Sequence, residues 1–224
     1  MYITASCMNV NLMARWVMVR LHKILVGASA VVTRGKPKAF CLDIGTTFFY
    51  AGDGSLMEAE LATKLVIGLK EAGISFVSYL PETRLSQIVP LLREDPFFML
   101  APVANESEAV SIAAGASLGG RPAAVYMEGS GIYVSSYNLL VVGRRLGVPM
   151  LLIVAYYGSI LDKRNSFLYA MPGIHMIPAL ESLAIQYEVL DKGDSLQDKI
   201  KGAVKMMHAI KQPVALLFTG EFTA

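Results

Sequence analysis

Charge, cysteine and uninterrupted apolar sequence are all scarce in this chain, and each shortage removes a class of protein. Only 17% of the 224 residues are charged, 20 Lys and Arg against 18 Asp and Glu, for a net charge of +2. That balance offers no basic surface for nucleic acid and no field for an anionic membrane. Two cysteines, Cys7 and Cys41, supply neither a disulfide framework nor a metal-binding spacing, which fits a reducing, cytoplasmic setting. No apolar run reaches the roughly 18 residues needed to span a bilayer. The most apolar early stretch, Asn9 to Val32, is broken by Arg15, Arg20, His22 and Lys23, and no clean apolar block ends in a cleavage site. Internal repeats and low-complexity tracts are also missing. Against these shortages stands an apolar fraction of 54% with a mean hydropathy of +0.49, enough for a continuous core and for surface buried against a partner.

The two ends of the chain differ. Residues 1–56 hold six basic residues (Arg15, Arg20, Lys23, Arg34, Lys36, Lys38) against two acids (Asp43, Asp53), whereas the remainder has a small acidic excess. We read 1–56 as an N-terminal extension with no role in the fold, and 57–224, opened by Met57, as the folded domain.

From Met57 onward, helical periodicity alternates with short apolar runs, the pattern of a parallel α/β sheet. Leu61, Val66, Ile67 and Leu69 mark the buried stripe of a first helix closed by Gly73. Strands are expected at Ser75–Tyr79, Phe97–Ala101, Pro122–Met127, Pro149–Tyr156, Gln186–Leu190 and Pro213–Phe218. Helices are expected over Arg84–Arg93 (with Pro90 bending or shortening it), Ser107–Leu118, a segment ending near Leu146, Ile177–Ile185 and Ser195–Ile210. Gly129-Ser130-Gly131 reads as a strand-to-helix turn and 157–173 as a loop at the active edge. The Pro149–Tyr156 run has the continuous apolar character of a central strand covered on both faces. The fold class is therefore a three-layer αβα domain with a six-stranded, mainly parallel sheet.

One segment carries chemistry. Asn105-Glu106-Ser107-Glu108 follows the apolar run Phe97–Ala101, read as a buried strand, and opens a helix rich in Ala and Gly. The carboxyl edge of such a sheet is where ligands bind. Small residues let this helix press on a neighbour, placing Glu106 in a tight, partly dry site. Burial of a carboxyl group favours its protonated form and suits it to acid or base work. Glu108, two residues on, faces elsewhere and reads as a surface or interface carboxylate. Gly52-Asp53-Gly54-Ser55 resembles a metal-diphosphate signature, but Ser75–Pro81 contains no Asn to complete it, so it reads as a turn and no metal site is expected.

Several pieces, in this order, carry a resemblance: Leu69-Lys70-Glu71-Ala72-Gly73-Ile74-Ser75-Phe76-Val77, Leu80-Pro81-Glu82, Asn105-Glu106 with Ala113 and Gly115, Leu118-Gly119-Gly120-Arg121-Pro122-Ala123, Tyr126-Met127-Glu128-Gly129-Ser130-Gly131, and Gly147-Val148-Pro149-Met150-Leu151-Leu152. Together they resemble the pyrimidine-binding (PYR) domain of thiamine diphosphate-dependent decarboxylases of the sulfopyruvate and phosphonopyruvate type. The resemblance implies that Glu106 hydrogen-bonds N1′ of the aminopyrimidine, with Pro81, Gly129, Ser130 and Gly131 touching the cofactor. It implies a small 2-keto acid as substrate, and a separate β chain of pyrophosphate-binding (PP) type that brings Mg²⁺ and holds the diphosphate, together with self-association. His175, expected at a helix start near that edge, is the candidate proton relay. Lys163 and Arg164 could bring positive charge to the loop. The stretch Glu128 to Val134 departs from the family pattern, which keeps two other readings open: a non-catalytic PYR module that regulates or scaffolds a partner, and an acetolactate-type carboligase subunit.

Overall fold

The computed structural model describes residues 59–81, 85–157, 170–190 and 195–219. The 1–56 extension, Cys7, Cys41, the Gly52–Gly54 turn, Arg84, Lys163 and Arg164 lie outside the described residues.

Helix α1 (Ala59–Glu71) leads to β1 (Phe76–Tyr79), α2 (Leu85–Glu94), β2 (Met99–Pro102), α3 (Glu106–Leu118) and β3 (Ala123–Glu128). After β3 come α4 (Gly129–Val134), a single turn at Ser136–Asn138 and a π-helix at Leu139–Arg145. The chain continues through β4 (Leu151–Ala155), α5 (Ala170–Ser182), β5 (Gln186–Leu190), α6 (Leu196–Ile210) and β6 (Val214–Phe218). All six strands are parallel, in the order β2-β1-β3-β4-β6-β5. Among the described residues, no helix is long and apolar enough to cross a membrane.

Strand alternation sorts the core into two layers. Val77, Tyr79, Ala124, Tyr126, Leu151, Ile153, Leu216 and Phe218 face α1, α2 and α6. Phe76, Val125, Met127, Leu152, Val154, Ala215 and Leu217 face α3, α4, the π-helix and α5. The central β4 is buried along its whole length, as its unbroken apolar run requires. Ser78 is the one polar side chain buried within a described strand, and it donates from Oγ to the Ala109 carbonyl at 2.8 Å, tying β1 to α3.

The strand order also locates the site. The helix after β1 covers one face of the sheet and the helix after β3 covers the other, so the chain parts in opposite directions between these neighbours. In an open parallel sheet that divergence leaves a crevice at the carboxyl ends of the two strands.

Five local expectations are corrected. Ile67 is 42% exposed, because the inward stripe of α1 runs through Leu61, Ala62, Leu65, Val66 and Leu69 and residue 67 lies 100° past Val66. Strand β2 sits at the edge of the sheet with Met99 47% exposed, so the strand before Glu106 is not a buried one. Gly129-Ser130-Gly131 is the first turn of α4 and not a separate turn. The helix expected to run to Leu146 is broken at Ser135 and finishes as a π-helix. Finally α5 begins at Ala170, because Pro172 falls within its first turn, where the missing N–H is tolerated; His175 is therefore inside the helix and not at its start. Removing the side chain of Ile153 at the centre of β4 should leave a cavity and lower unfolding free energy by about 3 kcal/mol in urea titration of the Ile153→Ala variant.

Candidate functional site

The start of α3 is fixed by its caps. Asn105 is extended, with φ −158° and ψ 164°, and its side chain accepts a hydrogen bond from the Glu108 amide at 3.0 Å. Glu108 returns the contact, its Oε2 accepting from the Ala104 amide at 2.9 Å. This reciprocal arrangement is a capping box reaching one residue further back than usual. It gives the exposed Glu108 a structural task and makes Glu106 the first helical residue. A cap of this type stabilises a helix by about 1 kcal/mol.

Glu106 itself turns inward and is only 8% exposed. It lies against α4 at the point where α4 leaves β3. A Cβ at Gly131 would stand 2.7 Å from Glu106 Cγ, 3.0 Å from Met127 Cβ and 3.1 Å from Met127 Sδ, closer than side chains tolerate. Glycine at 131 is thus the condition for the carboxylate arm to pass. Gly129 is less tightly enclosed on its other side, where a Cβ would meet Met176 Sδ at 3.0 Å and the Ala155 carbonyl at 3.1 Å and these neighbours would have to give slightly. Between them Ser130 is exposed. The first turn of α4 is therefore wedged between β4, α5 and Glu106 with little room for a side chain on either inward face.

Polar ties hold these elements together. Ser107 donates from Oγ to the Val134 carbonyl at 2.6 Å, and Asn138 donates from Nδ2 to the Ser107 carbonyl at 3.0 Å. The Tyr133 hydroxyl donates to the Pro172 carbonyl, fastening α4 to α5, and burial pushes this phenol above its usual ionisation range. None of the hydrogen bonds or ion pairs among the described residues reaches the Glu106 carboxylate. The Glu106 carboxyl group thus has free hydrogen-bonding positions on a residue that is otherwise largely buried.

The structure therefore brings Glu106 and Gly131 together just past the carboxyl end of β3, a strand that borders the crevice, with Gly129 facing β4 and α5. Pro81 is exposed just past the end of β1, on the other bank of the crevice. Glu128 is half-buried at the end of β3, where it precedes α4 without capping it. His175 is exposed on α5, one residue before the buried Met176 that meets Gly129. Among the described residues, no three His, Cys, Asp or Glu side chains come together as a metal ion would need. Met176, Asn138 and the cap formed by Glu108 are absent from the sequence expectations. The Asn105-x-x-Glu108 spacing could have revealed the last of these; no local pattern announces the other two.

No family model matches the chain. It is 30% identical over 151 residues to sulfopyruvate decarboxylase subunit alpha of Methanocaldococcus jannaschii, covering 67% of this chain and 88% of that relative. A second relative of the same name, from Methanococcus maripaludis, is 27% identical over 147 residues, covering 66% and 87%. The fold is shared with a solved 2-oxoglutarate:ferredoxin oxidoreductase from Magnetococcus marinus, with a TM-score of 0.53 and 17% identity over 73% of this chain and 30% of that one. With nearly nine-tenths of the first relative's length matched at this identity, the chain belongs to the family of sulfopyruvate decarboxylase α subunits.

Proposed function

We propose that the chain is the α subunit of a thiamine diphosphate-dependent decarboxylase for a small 2-keto acid such as sulfopyruvate or phosphonopyruvate. The observation that carries this reading is the buried, unpartnered Glu106 carboxyl arm passing over Gly131 at the crevice between β1 and β3. The relatives are named as α subunits of a sulfopyruvate decarboxylase, which supports the same substrate class and a second kind of subunit.

The residues present fit the aminopyrimidine half of the cofactor. The aminopyrimidine needs an acid to meet a ring nitrogen, which Glu106 supplies, while Gly129 and Gly131 serve the close packing that places that acid. When bound, thiamine diphosphate provides the sink for the electron pair released as carbon dioxide departs. Glu106 holds a proton at N1′ of the pyrimidine, and the helix-to-helix ties keep its arm in one place. The diphosphate and Mg²⁺ belong to the second, β-type chain, so the complete site forms between subunits. The exposed apolar side chains of Tyr133, Val134 and Tyr137 on the segment adjoining α3 suit a surface that another chain covers. Cytoplasmic residence fits this assignment.

With its partner chain present, Glu106→Gln should lower turnover of the keto acid by about 100-fold or more, since Gln keeps the shape but cannot exchange the proton. Thermal unfolding should be nearly unchanged. Turnover retained by this variant would favour the scaffolding reading instead. Gly131→Ala should leave the domain folded but displace the Glu106 arm, lowering turnover by at least about tenfold in the same assay.

A further inference from the structure

The contact between Gly131 and Glu106 is van der Waals only, so it cannot by itself set the distance between α3 and α4. That distance is set by a cluster of polar ties immediately beside it. Asn138 donates from Nδ2 to the Ser107 carbonyl at 3.0 Å and to Ser111 Oγ at 2.7 Å. Ser111 Oγ in turn donates to the Ser107 carbonyl at 2.9 Å. The amide thus meets a carbonyl and a hydroxyl that are themselves 2.9 Å apart on α3, supplied by residues one turn from each other. From the other side, Ser107 Oγ donates to the Val134 carbonyl at 2.6 Å. Ser107 is the residue next to Glu106, and Val134 and Asn138 follow Gly131 on the same segment. Ser135 and Ser136 donate back to the carbonyls of Gly131 and Ile132, stiffening the stretch between the two halves of the clamp.

We propose that Asn138 is a positioning residue for Glu106: its two-pronged amide sets the gap between the first turn of α3 and α4, and so fixes the carboxyl arm against Gly131. This rests on Glu106 being the catalytic acid. The side chain must be an amide, because a carboxylate of the same shape has no hydrogen to give the Ser107 carbonyl.

Asn138→Ala and Asn138→Asp, assayed in the complex with the partner chain, should lower kcat by about tenfold or more while leaving KM within about threefold. If Asn138 acts only through Glu106, the double variant Asn138→Ala/Glu106→Gln turns over as slowly as Glu106→Gln alone, within about twofold. In the full chain without cofactor, amide exchange at Ala109 to Ser111 should quicken by about tenfold in Asn138→Ala, with exchange across β3 and β4 unchanged. Wild-type kcat in Asn138→Ala, or loss of kcat without faster exchange, overturns the clamp. So does a double variant that carries the two losses multiplied together, which marks a general structural defect. A fully active Glu106→Gln instead overturns the catalytic reading of Glu106, and the clamp then stands or falls on the exchange rates alone.

Discussion

The approach of the Glu106 side chain to a backbone that carries no Cβ is the constraint on which the site depends. At Gly131 any side chain would intrude to 2.7 Å from Glu106 Cγ. The consequence reaches both ways along the chain. Because α4 can lie this near α3, Glu106 is withdrawn from water at the very start of its helix. Because Glu106 is withdrawn, its carboxyl group is not spent on the helix end. The capping that a first-turn acid often provides is supplied by Asn105 and Glu108.

The sheet supplies the frame for that approach. Strands β1 and β3 are neighbours whose following helices cover opposite faces, so their carboxyl ends border an opening. Helix α3 crosses from the edge strand β2 over β1 toward β3, anchored on the way by Ser78 and the Ala109 carbonyl. The same crossing carries Glu106 to the opening. Helix α5 closes the far side, held by the Tyr133 hydroxyl and by Met176 against Gly129. Helices α3 and α4 thus meet at a single carboxylate, with α5 packed against the other side of α4.

Much of this was legible in the residues. The unbroken apolar run around Leu151–Ala155 identifies a strand covered on both faces, and the change from strand to Ala-rich helix at Glu106 identifies the start of α3 at the carboxyl edge of the sheet. Three things were hidden for physical reasons. Strand order is not written in local pattern, so nothing in Phe97–Ala101 distinguishes an edge strand from a central one. Glycine serves both as a turn residue and as a point of close approach, and Gly129-Ser130-Gly131 looks the same in either use. Pro172 and Gly173 fall in the 157–173 stretch that reads as a loop, although a first helical turn accepts both. Asn138 escaped notice because its reach to Ser107 depends on the broken helix after β3, a feature of packing and not of periodicity.

The most direct test of a cofactor site completed between two chains is calorimetric titration of thiamine diphosphate with Mg²⁺. The titrations should cover the chain alone, a β-type partner alone and their mixture. The expected result is saturable binding in the mixture and weak binding to either chain by itself. Full-affinity binding to this chain alone, or no binding to the mixture, would contradict it.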